Sequence, residues 1–390
     1  MAAVMVDSFI AHNPGWDCKI LLCDTLTGED EIHHLSELHT EIIPLLSLQD
    51  TCAVNLEDLC FKYSVIELNT AVKPLFLEYL FSKGYGKVVY LDPDILVLQS
   101  FSGIERLLEQ HDIILTPHIT KPLPEDGFTQ TDHDILCSGA YNLGFLALKN
   151  SPEAHRLITW WQKKLVDKCY SCVEEGLFTD QKWMDLAPAL CNNVLILKDK
   201  TFNVAFWNLH ERTVQKRGGI WMVNGEPMVF FHFSGVVLND LERISKHQDR
   251  YSLRNRPELS DLFHHYKRLL TDRGIHRFEG KRYWFGYLPD TDIEIPEFLR
   301  RFWKEIKASG IHPFNPAHIP ALIRFANEPV LADPVVSRLW LEIYRKRPDV
   351  QAAFPNMETS RESREAFVHW VKFHGRNEYH LNKLFVEIEN

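Results

Sequence analysis

The sequence predicts an α/β protein, a largely parallel sheet flanked by helices, followed by a smaller all-helical domain. Three observations predict it. Short apolar runs alternate with amphipathic helical stretches up to about residue 275, strand patterning then nearly vanishes, and 45% of the 390 residues are hydrophobic, enough to fill two cores.

Taken in order, residues 2–12 read as a helix, with Val4, Met5, Phe9 and Ile10 as its apolar stripe and Pro14-Gly15 as its stop. Lys19–Cys23 reads as a buried strand that reaches Asp24. A helix follows from Asn69 or Thr70 to Gly84, with Pro74 tolerated in its first turn. Lys87–Leu91, Ile113–Leu115, Gly144–Leu148, Val194–Leu197 and Met228–Phe231 are the further strands, with a helix over Pro152–Leu165. Beyond about residue 275, Glu297–Ala308, Pro316–Asn327, Pro334–Arg345 and Ser363–Phe373 read as helices with proline-bearing joints such as His312-Pro313 and Arg347-Pro348. The aromatic stretch Tyr283–Tyr287 is the exception with strand character. The expected division is therefore 1–275 and 276–390.

Composition narrows the function. With 53 acidic against 43 basic side chains the formal net charge is −10, which argues against a nucleic-acid binder. No apolar run approaches the ~18–20 residues of a membrane span and no signal peptide opens the chain, so a cytoplasmic protein is expected. Peripheral membrane association is compatible with that. Eight cysteines among apolar neighbours read as reduced thiols, and Cys169-Tyr-Ser-Cys172 lacks the second ligand pair of a structural zinc site.

Asp92-Pro93-Asp94 directly follows the strand Lys87–Leu91. Residues two apart on a strand share a face, and Pro93 suits a strand's exit. Two carboxylates converging at ~4 Å would repel by roughly 4 kcal/mol at an effective dielectric near 20. A hard divalent cation, Mn²⁺ or Mg²⁺, removes that cost. Asp92 and Asp94 are thus candidate metal ligands, against the bland reading of a solvated turn. His232 and Gly235, in Phe230-Phe-His232-Phe-Ser-Gly235, put an imidazole at a strand end and a permissive glycine after it; the competing reading is a packed core histidine. Asn142 and Gly144 open a strand in the same way. Asp180 and Gln181 read either as an ordinary helix start or as site residues. Lys73 is either a solvated charge or the cation that neutralises a phosphate. Trp207–Arg212 borders an acceptor or donor site, or is a structural loop.

In this order, Tyr90–Ile95, Tyr141–Gly144, Asp180-Gln181 and His232–Gly235 resemble nucleotide-sugar-dependent glycosyltransferases of the GT-A fold, in the branch around the family-eight retaining enzymes. The resemblance covers roughly residues 1–250. It implies that Asp92, Asp94 and His232 bind Mn²⁺ or Mg²⁺ beneath a donor diphosphate, and that Lys73 and Asn142, with Gly144 and Gly235, contact the donor. It further implies that Asp180 and Gln181 lie beneath the anomeric carbon and orient the acceptor. The diphosphate-clamping lysine of that family falls on Lys246, at a longer spacing than usual. The implied reaction moves a sugar from a nucleotide sugar, with a UDP-sugar expected, to a saccharide or glycoconjugate in bacterial surface-polysaccharide assembly, and retention is favoured over inversion. GT-A enzymes begin with a strand that helps hold the base, whereas this sequence opens inside what looks like the following helix. Either the start lies upstream or the sheet lacks a strand, and a weakened base pocket is the expectation. That departure, with Trp160, Trp161, Trp183 and Trp207 as surface candidates, leaves a catalytically silent sugar-nucleotide- or glycan-binding protein as the alternative. A nucleotidyltransferase would want a glycine- and arginine-rich phosphate loop near its start, which the sequence lacks.

Overall fold

The computed structural model describes residues 1–25, 38 and 40–387. They form two compact units. The first comprises Met1–Cys52 and Asn69–Lys281, the second Ala53–Leu68 and Arg282–Asn390. The main part of the second unit thus starts a few residues later than residue 276, and the unit also takes in an early segment that interrupts the first.

The first unit opens with α1 (Ala2–His12), which buries Val4, Val6 and Phe9. Strands β1 (Lys19–Leu22) and β2 (Glu41–Pro44) pair in parallel. After α2 (Lys73–Ser82) come β3 (Lys87–Leu91), β4 (Ile95–Val97), α3 (Ser102–Gln110), β5 (Ile113–Pro117), α4 (Asp132–Ser138), β6 (Tyr141–Lys149), α5 (Pro152–Lys168), β7 (Val194–Ile196) and β8 (Phe230–His232). The main sheet has the order β3-β6-β5-β7.

The expected largely parallel sheet needs correction here. Strands β5 and β7 pair in parallel, but β6 runs antiparallel to both of its neighbours, β3 and β5. Seven consecutive residues of β6, Asn142 to Leu148, are buried. A strand covered on both faces shows a continuous apolar run whichever way it points, so its direction is invisible in the pattern. A separate antiparallel pair joins β4 to β8. Successive residues of β8 serve different cores. Phe230 packs with Phe101, Phe145 and Phe202, while Phe231 packs with Phe233 and Phe263.

The second unit is mainly helical. Its helices include Leu56–Lys62, Glu297–Arg300, Trp303–Ala308, Ile319–Asn327, Arg338–Lys346, Pro348–Ala353 and Arg361–Trp370. Leu299, Ile306, Leu322, Leu339, Trp340 and Phe367 are fully buried among them, with Phe61 from the earlier segment. That contact, together with Arg300 reaching the carbonyls of Cys60, Phe61 and Tyr63, is why residues 53–68 belong to this unit. Two expected helices are shorter than their patterns. The stretch 297–308 breaks into two, and 334–345 becomes helical only at Arg338, because Val336–Ser337 pairs with Pro329–Leu331 and the Ser337 side chain then caps the helix. The Tyr283–Tyr287 stretch is not a strand but contains a short 3₁₀ turn, Trp284–Gly286, packed ring on ring against Phe314.

Candidate metal centre

Two strand pairings build the centre. At the exit of β3, Leu91 lies opposite Phe145, and the Asp92 N–H donates to the Gly144 carbonyl at 2.9 Å. On the next strand Ile95 lies opposite His232, and the Phe233 N–H donates to the Asp94 carbonyl at 2.9 Å. The turn at Pro93 therefore carries both acids to the end of β8. One ligand atom from each of Asp92, Asp94 and His232 lies within 4.8 Å of the other two. His232 Nε2 is 3.1 Å from Asp94 Oδ1 and 3.8 Å from Asp92 Oδ2. The imidazole is buried while both carboxylates stay partly open, at 27% for Asp92 and 23% for Asp94.

Burial works against the Asp94 carboxylate, yet the adjacent His232 outweighs it and holds the acid below its usual range. Burial alone would likewise lower His232, but Asp94 and then Asp92 raise it. A proton on His232 thus offsets the acids where a cation would. Two carboxylate oxygens and one imidazole nitrogen, partly open on the acid side, fit a hard or borderline divalent ion such as Mn²⁺ or Mg²⁺.

Beside this centre lies a closed ion cluster. Lys73 Nζ sits 3.0 Å from Asp180 Oδ2, 3.6 Å from Asp92 Oδ1 and 3.0 Å from the Leu143 carbonyl, and above the Tyr90 ring at 4.4 Å. The Tyr90 hydroxyl donates to Asp92 Oδ1 at 2.6 Å, which leaves Oδ2 as the oxygen toward His232. Burial tends to discharge Lys73, but Asp180 and Asp92 outweigh it and the ammonium is stabilised. Burial also pushes the Asp180 carboxyl up, and Lys73 counters that only in part. These directions pull the pair opposite ways. The ionised pair is the state the geometry supports, since a neutral Asp180 would leave Lys73 answered only by Asp92 at 3.6 Å. Asp180 is 2% exposed, and the Trp161 indole donates to its carbonyl.

The remaining sequence candidates divide. Gln181 accepts from the Leu143 N–H and donates to the Ser138 carbonyl, so its amide is engaged within the fold. Asn142 is buried and engaged with Gly144, Asn203, His118 and Gln181. Gly144 makes room for the imidazole. A Cβ there would lie 2.8 Å from both His232 Nδ1 and Asn142 Oδ1, and closer still to His232 Cε1. Gly235 has φ +68°, and a Cβ on it would strike the His247 ring and come within 2.8 Å of the Ser245 hydroxyl. The Lys246 N–H donates to the Gly235 carbonyl at 2.8 Å, with its side chain exposed.

Trp161 and Trp207 are not surface residues, being 0% and 3% exposed. Trp207 packs edge-to-face against both His232 and His118, each at 5.2 Å. Farther along the same stretch, Glu211 accepts from Thr120 and His210 meets the Lys121 carbonyl. Sequence reasoning missed Asn203 and His118 as neighbours of the centre. A polar residue isolated in an apolar stretch, as in Phe202-Asn203-Val204 and Pro117-His118-Ile119, was the available signal.

No protein-family model matches the chain. It is 24% identical over 239 residues to the uncharacterized protein YfnF of Bacillus subtilis (strain 168), covering 57% of this chain and 75% of that one. The uncharacterized YfnD of the same strain is 23% identical over 241 residues, covering 60% and 73%. Among solved structures, the chain is similar to the galactosyltransferase LgtC in complex with donor and acceptor sugar analogs, at 15% identity and TM-score 0.42, over 72% of this chain and 95% of that one. It is also similar to mouse xyloside xylosyltransferase 1, at 14% identity and TM-score 0.35, over 59% and 90%.

Proposed function

We propose that this chain is a metal-dependent glycosyltransferase. It moves a sugar from a nucleotide sugar, a UDP-sugar in our reading, to a saccharide or glycoconjugate acceptor, on the cytoplasmic side of bacterial surface-polysaccharide assembly. The observation that carries the reading is the gathering of Asp92, Asp94 and His232 within 4.8 Å, with Lys73 joining Asp92 to the buried Asp180. A divalent ion held there supplies Lewis-acid neutralisation of a leaving diphosphate, an effect of several kcal/mol. The chain's own residues set the geometry. Tyr90 and Lys73 fix one oxygen of Asp92, and Gly144 lets His232 approach. Lys246, exposed beside the Gly235 turn, is a cation that can meet a phosphate.

Retention fits Asp180 better than inversion does. A general base must touch the acceptor hydroxyl, whereas this carboxylate is 2% exposed and paired with Lys73. Asp180 and Gln181 are then positioning groups beneath the reacting carbon.

The test is a panel of UDP- and GDP-sugars with Mn²⁺, reading released nucleotide, and NMR of the anomeric product once an acceptor is found. Release that needs Mn²⁺ and disappears in Asp94→Ala supports the reading. Turnover that survives the substitution removes the metal centre from the chemistry. Calorimetric binding of a UDP-sugar without turnover would instead favour the silent binding protein.

A further inference from the structure

We infer that Asn203 is a positioning residue that fixes which imidazole nitrogen of His232 faces the cation, an inference resting on the reading that Asp92, Asp94 and His232 hold a divalent ion. The chain of donors and acceptors starts from a group whose identity is not in question. The Gly144 backbone N–H can only donate, and it donates to the side chain of Asn142 at 3.1 Å, which makes the atom it meets the oxygen Oδ1. The Asn203 amide approaches that same oxygen at 3.0 Å, so it must present its NH₂ there. The same NH₂ reaches Thr116 Oγ1 at 2.9 Å. The Asn203 carbonyl oxygen is then the atom 3.1 Å from His232 Nδ1, and an oxygen at that distance requires Nδ1 to carry the proton. A neutral His232 therefore keeps its lone pair on Nε2, the nitrogen 3.1 Å from Asp94 and 3.8 Å from Asp92.

Asn203 is held hard in this role. It is 1% exposed, its backbone lies in the left-handed region at φ +50°, which asparagine tolerates well among L residues, and its carbonyl accepts from Asn208 at 3.0 Å. The network reads as an outer shell that orients a metal ligand.

Two substitutions separate this role from mere packing. Asn203→Gly suits the left-handed backbone and removes the oxygen. Asn203→Asp keeps an oxygen toward Nδ1 but, like glycine, loses the donations to Thr116 and Asn142. Mn²⁺ affinity, read by EPR of the free ion, should fall about 10- to 100-fold in Asn203→Gly and stay within about threefold in Asn203→Asp. Long-range ¹H–¹⁵N spectra of histidine-labelled, metal-free protein in alkaline buffer should place the His232 proton on Nδ1 in the wild type and Asn203→Asp, and spread it over both nitrogens in Asn203→Gly. Equal losses of affinity in the two variants, or a wild-type proton on Nε2, would overturn the inference. Failure of the wild type to take up Mn²⁺ would sink the metal reading and the role of Asn203 with it. Uptake indifferent to Asn203→Gly sinks the inference alone.

Discussion

Two buried ionic arrangements, one from each unit, are held in different ways. In the second, Arg300 is 5% exposed and gives its N–H groups to the carbonyls of Cys60, Phe61, Tyr63 and Phe285, at 2.7–3.3 Å. In the first, ionic side chains answer one another. Lys73 lies between Asp180 and Asp92, and His232 lies against Asp94 and Asp92. A guanidinium engaged with peptide oxygens is fixed architecture, because nothing exchangeable can replace it. Two partly open carboxylates held around one imidazole can trade a proton for a cation. The difference separates charge that secures a fold from charge that can do chemistry.

The sharpest way to break this comparison is Asp94→Ala. Turnover should drop by at least ~1,000-fold, about 4 kcal/mol in the barrier, with loss of Mn²⁺ binding by EPR. Wild-type Mn²⁺ affinity in that variant would show that the acid is only structural. Next comes Lys73→Met, which leaves Asp180 buried and unpaired and should cost about 3–5 kcal/mol in urea unfolding. The double variant Lys73→Met/Asp180→Leu should recover much of that loss. Arg300→Met should cost about 3 kcal/mol by orphaning buried carbonyls, and leave Mn²⁺ affinity unchanged. A change in affinity there would mean that the two kinds of charge are not separate.

The smallest effect is one of pH. Burial lowers His118 from 6.5 to about 4. Its folded value lies below its unfolded one, so the unfolded chain binds more protons between them and stability falls as pH drops through that window. The loss should be about 1 kcal/mol by pH 5.5 and about 3 kcal/mol near pH 4. In His118→Gln this component of the acid slope should vanish from denaturation curves.

Much of this was legible in the sequence, for reasons tied to particular residues. Apolar runs marked β3, β5 and β6 within a residue or three at each end, because burial on both faces demands them. The same burial hid the direction of β6. The triad of candidate ligands was readable because Asp92 and His232 close apolar runs and Asp94 opens one, where a polar side chain has to be accounted for. Its outer shell was not. Asn203 and His118 come from segments whose convergence depends on loop paths that no periodicity encodes. The membership of residues 53–68 in the second unit was equally opaque, since Phe61 and Arg300 meet across more than two hundred positions.

Gly144 carries one more consequence. Adding a single methyl there would leave every candidate metal ligand in the sequence and yet deny the imidazole its seat, because the new carbon would overlap the ring edge. Gly144→Ala is therefore expected to lose activity without altering any charge, and any turnover it kept would report how far the ring can retreat and still serve.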